Sequence, residues 1–235
     1  MASPGELVHK VAEALGVPEP TVIVHDRNLV RAGLRTKGGR GRSAATMTAT
    51  DAANLIVAVA GSSVVKETVG TVNDYANLPP QSGEVSMGES SDSIRHDRNA
   101  LATWQLVGFP ISRLQDLPER HTFRDALIAL IEAATDGSLT AAITALPRKT
   151  VQGNLIPNLW SIEVTMWGPY PQAAIRIFCS GFSEMHRYAH EIPMDRDAIA
   201  KWEVRVRDDY GDGDLRQIRE FSAKTLFAIG DLLKS

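Results

Sequence analysis

The most constraining pattern in this chain is a pair of short amphipathic segments near its start, separated by glycine and proline. Apolar residues recur with helical spacing in the first segment, at Val8, Val11, Ala12 and Leu15. This spacing places one apolar stripe on a helix, and Gly16 is typical of the residue after a helix C-terminus. Because proline is tolerated in a first helical turn, a second helix is predicted from Glu19–Thr21 to about Ala32, ended by Gly33.

The predicted second helix has two opposite faces. On a helical wheel, Val22 and Leu29 lie on one side. The residues collected on the other side are Thr21, Val24, Arg27, Asn28 and Arg31. Arginine can bind guanine and asparagine can bind adenine through paired hydrogen bonds, and valine or threonine can contact a thymine methyl group. We interpret this side as a surface for reading bases in a major groove, although it leaves Asp26, near the core side, without a role.

A basic, glycine-rich segment follows this helix. Within residues 34–43, three glycines alternate with four cations, which are Arg35, Lys37, Arg40 and Arg42. Glycine permits turns at positive φ, and the short flanks can pair as a two-stranded ribbon. Such a basic tip can contact phosphates or enter a minor groove. Because the whole chain has a net charge of −3, this cluster suggests one directed contact with an anion; a solvated loop is the alternative.

Two further helices are predicted before residue 78. Thr48 and Asp51 have the spacing of a capping box and open a helix that Gly61 ends. Its apolar stripe comprises Ala52, Leu55, Ile56 and Val59. A second helix is predicted over residues 63–77, with the stripe Val65, Val69, Val72 and Ala76. The spacing of this stripe fits either a dimer seam or packing within the domain.

Composition suggests a division into two domains. Residues 78–99 begin with two prolines and continue with a stretch rich in Ser, Glu, Asp and Gly. Such a stretch buries little apolar surface, so we predict a flexible linker there. The linker would separate a mainly helical domain, residues 1–77, from a second domain, residues 100–235, with an effector or oligomerisation role.

The second half has the patterns of an α+β fold. Thr122 can cap a helix that ends near Gly137. Apolar and polar residues alternate over 160–166, and residues 173–178 follow after a turn at 168–171, so a β-hairpin is predicted.

The alternation of Trp202, Val204 and Val206 with charged residues predicts a third strand. Asp214 and Gln217 have the spacing of a capping box for a last helix. We therefore predict an antiparallel sheet packed with helices for the second domain and an α+β class for the whole chain.

The stretch Leu7–Gly61, about a quarter of the 235 residues, resembles winged helix-turn-helix DNA-binding regulators of bacterial and phage type. The resemblance rests on the Ala12-x3-Gly16 spacing, on the sequence Leu-Val-Arg-Ala-Gly-Leu over 29–34, on the basic segment as a wing, and on the Thr-x-x-Asp that follows. One departure is His25, which stands where the family has an apolar residue. The resemblance implies base or phosphate contacts by Thr21, Arg27, Asn28 and Arg31, and wing contacts by Lys37, Arg40 and Arg42.

Other chemistry finds little support in the sequence. His186 and His190 would share one face of a helix, as a metal pair requires, but no third ligand stands nearby. Cys179 has no evident base for catalysis, and as the single cysteine it excludes an internal disulfide. We expect no metal, no cofactor and no catalytic residue. With no apolar run of about 18 residues and no secretory signal, a cytoplasmic, nucleoid-associated protein without a membrane contact is expected.

Three functions are compatible with these patterns. The first is a sequence-specific transcriptional regulator that binds double-stranded DNA, as a homodimer, with a possible protein partner for the second domain. The second is a phage-type DNA-packaging or structural protein, in which the same first domain grips DNA and the second forms a ring. The third is an enzyme, which only Cys179 and the pair His186 and His190 support.

Overall fold

The computed structural model describes residues 2–38, 45–87, 94–96, 103–106, 109–146, 149–151, 154–156, 159–179, 182–193, 195–211 and 216–234. The described helices are α1 Pro4–Leu15, α2 Glu19–Ala32, α3 Ala49–Gly61, α4 Thr68–Ala76, α5 Ser112–Gln115, α6 Phe123–Asp136, α7 Ser138–Ala145, α8 Arg196–Tyr210 and α9 Ala223–Lys234. The described strands are β1 Pro80–Met87, β2 Ile94–His96, β3 Lys149–Val151, β4 Asn154–Ile156, β5 Trp160–Gly168, β6 Gln172–Cys179, β7 Phe182–Ala189 and β8 Gln217–Ser222. The α+β class is confirmed.

Six strands form one antiparallel sheet in the order β2-β1-β7-β6-β5-β8, and β3 pairs with β4 separately. The predicted hairpin is confirmed: β5 pairs with β6 from Trp160 opposite Cys179 to Trp167 opposite Gln172. Alternate side chains of β5 are buried, namely Ile162, Val164 and Met166, because α3 and α9 contact this part of the sheet. The other side chains of β5 lie on the more exposed face.

The hydrophobic core continues across the predicted domain boundary. Helix α1 packs against α9, and α3 packs against α6, so apolar residues from both halves form one cluster. The contact of α9 with α6 is close, because a Cβ at Gly230 would lie 2.6 Å from the Cβ of Ala134. The boundary inferred from composition therefore falls within a shared core.

The predicted linker contains a strand. Residues 80–87 form β1, which pairs with both β2 and β7, so the prediction of a flexible segment is wrong for this part. Gly83 and Val85 are buried in the sheet. The side chains of this strand are mostly polar, so the alternation of apolar residues that predicts a strand is missing. Backbone pairing to neighbours on both sides holds β1 more than apolar burial does.

The predicted third strand at 202–206 is wrong: these residues belong to α8. Asp195 caps α8 by accepting hydrogen bonds from the backbone N–H groups of Asp197 and Ala198. Trp202 and Val206, spaced by one helical turn, are half-buried on one side of the helix. Val204, which completes the alternating pattern, is 53% exposed. The alternation of apolar and charged residues over these five positions also contains the i, i+4 spacing of a helix, so the pattern fitted both structures.

The last helix begins later than predicted. Residues 217–222 form β8, an edge strand in which Phe221 lies opposite Val164 of β5, and α9 starts at Ala223. Asp214, the predicted cap, lies outside the described residues. The helix predicted over 63–77 is shorter as well, because a 3₁₀ turn at Val65–Glu67 precedes α4. Within its apolar stripe, Val72 and Ala76 are buried inside the chain.

In the part of the chain that the structure describes, no single helix is long and apolar enough to cross a membrane. Helices α6 and α7 meet the criteria of length and composition only as a pair, which is bent by 80°. Most apolar residues of α6 are buried in the core. Its predicted cap, Thr122, is confirmed, and the structure adds Asp125 as the second member of a capping box.

Candidate nucleic-acid interface

Helix α2 has the predicted bounds, and Gly33 follows it with a φ of 75°. Val22 and Leu29 are fully buried on one side. Val24, Arg27 and Arg31 lie three and four residues apart and are exposed on the other side, and we name these three residues the α2 face. Thr21, near the start of the helix, is half-buried. The sequence thus placed the two arginines correctly on an outward helical surface.

Asn28 does not belong to this face, which corrects the prediction that it contacts bases. Its side-chain amide donates a 3.1 Å hydrogen bond to the carbonyl of Val65 and a longer one, 3.4 Å, to the hydroxyl of Thr68. Asn28 therefore ties α2 to the start of α4. Local sequence patterns do not indicate this contact, because the partner lies 37 residues further along the chain.

Arg35 is also engaged within the chain, which corrects its prediction as a wing residue. Its guanidinium donates two hydrogen bonds, of 2.8 and 2.9 Å, to the two carboxylate oxygens of Asp26. The two side chains are 9% and 12% exposed. This ion pair accounts for Asp26 on the core side of α2, and it removes Arg35 from the set of available cations.

Three side chains fix the start of the basic segment. Besides Asp26, the carboxylate of Asp51 accepts a 2.7 Å hydrogen bond from the backbone N–H of Thr36. The amide of Asn54 donates a 2.7 Å hydrogen bond to the carbonyl of Leu34. The basic segment thus leaves the body of the protein from an anchored stretch. Lys37 is exposed just after it, while Arg40 and Arg42 lie outside the described residues.

A depression of about 490 Å³ adjoins this anchored stretch. It is lined by residues 33–37, by the start of α3, including Thr48 and Thr50, and by Arg124 of α6. Arg124 adds a cation that sequence reasoning missed, because 87 positions separate it from Lys37. The helix cap at Thr122 was the available signal, since it places the residues that follow at a helix N-terminus, where anions bind well.

His25 is buried rather than apolar. Its Nδ1 lies 2.8 Å from the hydroxyl of Thr68. That hydroxyl donates its own hydrogen to the carbonyl of Val65, so it accepts from the histidine, which places the ring hydrogen on Nδ1. The departure from the winged-helix pattern is therefore accommodated by a hydrogen bond inside the α2–α4 contact.

Stability is expected to fall in mild acid through His25. Burial lowers the pKa of His25 from its ordinary value of 6.5, so the unfolded chain takes up a proton at a higher pH than the folded chain. The free energy of unfolding should be steady above about pH 7 and should fall as the pH drops below about 6.5. His25→Gln should reduce this slope in urea unfolding at about pH 7.5 and pH 5.5. Burial also lowers the pKa of His121, which contributes in both proteins, and equal slopes would contradict a buried neutral His25.

Two of the residues considered for the enzyme hypothesis, Cys179 and His186, are buried. Burial raises the pKa of the Cys179 thiol, which disfavours the reactive thiolate. His186 lies on strand β7 and not on a helix, and its side chain is fully buried against Glu184. His190 follows the strand and is exposed. The predicted pairing of these two histidines on one helical face is wrong, and no cluster of three metal-ligating side chains occurs among the described residues.

Neither a protein-family model, nor a curated protein, nor a solved structure matches this chain. The α2 face is therefore interpreted from the chemistry of its own side chains. Arg27 and Arg31 form no ion pair with any residue that the structure describes. Two exposed guanidinium groups on one rigid helix, with an exposed valine between them and the helix N-terminus, suit a surface that bears anionic groups and apolar edges.

Proposed function

We propose that this chain is a sequence-specific transcriptional regulator that binds double-stranded DNA through the α2 face. The observation that carries the proposal is the outward position of Arg27 and Arg31 on a helix whose opposite side is buried. A single α-helix fits the major groove, and arginine is the side chain that most often recognises guanine there. Val24, 41% exposed on the same face, can contact a thymine methyl group.

The basic segment has a different role in this proposal. Lys37 is exposed, and Arg124 lines the same depression. Cations of this kind contact phosphates, which fix the orientation of a protein on the duplex without distinguishing sequences. Arg40 and Arg42 are proposed to contribute to the same contact from the wing. The chain therefore divides its cations between base reading on α2 and phosphate binding beside it.

The test begins with selection of sites from a randomised pool of DNA duplexes by the intact protein, followed by titration of the enriched site. Arg27→Ala and Arg31→Ala should each weaken binding to that site by about 5- to 150-fold and should relax the preference at one base pair. Lys37→Ala and Arg124→Ala should weaken binding to all duplexes alike and lower the salt dependence by about one counterion each.

A matched control is Arg187→Ala, which removes an exposed arginine from strand β7 and should leave binding unchanged. Unaltered affinity in both α2 variants at a fixed salt concentration would overturn the assignment of this face. Enriched sites with two-fold symmetry would indicate a homodimer. Binding without any enrichment would instead favour the packaging alternative, in which DNA is gripped regardless of sequence.

A further inference from the structure

Strand β8 is the longer of the two edge strands of the six-stranded sheet in the described part of the chain. It has six residues, whereas β2, at the other edge, has three. Among the described strands only β5 pairs with β8, so one row of its backbone N–H and C=O groups has no described strand partner. An open edge of this kind is able to pair with a further strand. Nothing in the proposed DNA contact uses it.

The side chains of β8 divide between two faces. Phe221 is buried opposite Val164 of β5, on the face that packs against α3 and α9. Because side chains alternate along a strand, Ile218 and Glu220 lie on the opposite face. Both are exposed, Ile218 to 60%, and the exposed Arg216 continues the same alternation just before the strand. The outer face of this edge therefore carries a cation, an apolar side chain and an anion in that order.

A second copy of the same strand can pair with this edge only in certain registers. Antiparallel pairing of two identical strands places a two-fold axis perpendicular to the sheet, so one residue lies opposite itself and its neighbours pair symmetrically. Centring the axis on Arg219 or on Glu220 would place like charges opposite each other, which is destabilising. Centring it on Phe221 would leave little of the strand paired, because α9 begins at Ala223.

The register centred on Ile218 is complementary instead. Ile218 then lies against its own copy, and Arg216 lies opposite Glu220 of the second copy, a charge pair that the symmetry repeats. Neither charge forms an ion pair with another residue that the structure describes. Charges on an edge strand often prevent pairing, but here each charge meets its opposite, which stabilises a pair of strands. Centring the axis on Gln217 would place Ile218 opposite Arg216 and lose this match.

We propose that two copies of this chain form a dimer by pairing β8 with β8 about a two-fold axis at Ile218. Each copy then covers the open edge of the other, and the two six-stranded sheets continue as one. Because both copies use the same surface, the assembly closes at two. Such a dimer has the symmetry of a DNA site with two half-sites, but the pairing itself does not depend on the DNA contact.

Charge reversal across the axis tests this pairing, with the mass of the full chain measured by sedimentation equilibrium in the absence of DNA. The unaltered chain should be a dimer. Arg216→Glu and Glu220→Arg should each replace two attractive pairs by two repulsive ones and weaken the dimer by about ten- to a hundredfold. The double variant should restore it. An equimolar mixture of the two single variants should dimerise as well, because each supplies the charge that the other lacks.

Arg187→Glu is the matched control, because it changes the net charge as Arg216→Glu does but lies on β7, three strands away from β8. It should leave the dimer unchanged. Ile218→Asp should weaken the dimer by placing like charges at the axis, with a circular dichroism spectrum that shows the fold to be retained.

Four outcomes would overturn the proposal. These are a monomer at micromolar to submillimolar concentrations of the unaltered chain, an assembly of more than two copies, a dimer that resists both charge reversals, and single variants that dissociate but stay monomeric when mixed. None of these measurements involves Arg27 or Arg31, so failure of the dimer and failure of the α2 face as a DNA contact are distinguishable.

Discussion

Replacing Glu184 by alanine is expected to lower the free energy of unfolding by about 3–5 kcal/mol. Glu184 lies on β7 and is fully buried. Its carboxylate accepts hydrogen bonds from the backbone N–H groups of Gln105, at 2.9 Å, and Leu106, at 2.6 Å. It also lies 2.8 Å from Nε2 of His186. Removal of the carboxylate takes the partner from two buried groups, the N–H of Leu106 and the ring of His186, and from the partly buried N–H of Gln105. Each unsatisfied buried group costs free energy.

The backbone around Leu106 increases this dependence. Leu106 has a φ of 45°, in the left-handed region that costs a branched residue about 1–2 kcal/mol. The carboxylate of Glu184 offsets this cost by binding the N–H of Leu106 itself. Trp104, just before it, stacks on the ring of His186 with centroids 3.8 Å apart. Glu184 is therefore the residue that fastens the segment 103–106 to the central strands of the sheet.

Urea unfolding followed by tryptophan fluorescence and by circular dichroism checks this expectation. Glu220→Ala is the matched control, because Glu220 is an exposed glutamate of strand β8 and its loss should change stability by less than about 0.5 kcal/mol. Glu184→Gln keeps the shape of the side chain but supplies only one acceptor oxygen. Its loss in the free energy of unfolding should therefore lie between those of Glu184→Ala and Glu220→Ala. A loss in Glu184→Ala no greater than that in Glu220→Ala would mean that the three partners find other hydrogen bonds.

Local patterns predicted the helices well where one face is apolar over several turns. The bounds of α2 are confirmed, and so are the capping box at Thr48 and the helix cap at Thr122. These features succeed because the cap and the stripe are formed by residues within the same few turns of chain. The outward position of Arg27 and Arg31 follows from the same geometry, since the buried side of α2 fixes the exposed one.

Contacts between distant segments could not be predicted in this way. On the helical wheel alone, Asn28 lies among the polar residues suited to base contacts. Only the packing of the start of α4 against α2 shows that its amide is engaged within the chain. Arg124 joins the depression beside Lys37 only because α6 packs on α3. Alternation also misled at 202–206, because five residues are too few to distinguish a strand from a charged helix with one apolar stripe. The candidate site is therefore partly predictable. Residues close together in sequence determine helix α2 and its exposed side, whereas the groups beside it come from distant parts of the chain.

Asp26 and Arg35 are expected to depend on each other, with a loss of about 2–4 kcal/mol in the free energy of unfolding when either is replaced by alanine. Their two hydrogen bonds form the bidentate geometry in which arginine binds a carboxylate most strongly. Since both side chains are largely buried, removing one leaves the other charge without compensation in a poorly hydrated place. Arg35→Lys should recover only part of the stability, because an ammonium group cannot make the paired contact.

A double-mutant cycle separates this pair from a role in DNA binding. The Asp26→Ala, Arg35→Ala protein should lose clearly less stability than the sum of the two single variants, because neither charge remains buried alone. If Arg35 serves mainly to anchor the basic segment, Asp26→Ala should weaken DNA binding about as much as Arg35→Ala, although it removes a negative charge. Additive stability losses, or DNA binding that is improved by Asp26→Ala and weakened by Arg35→Ala, would show instead that Arg35 acts as an independent cation. Variants of this pair thus distinguish two roles for Arg35. In one, its ion pair with Asp26 anchors the basic segment for DNA binding; in the other, Arg35 contacts a phosphate directly and needs no ion pair.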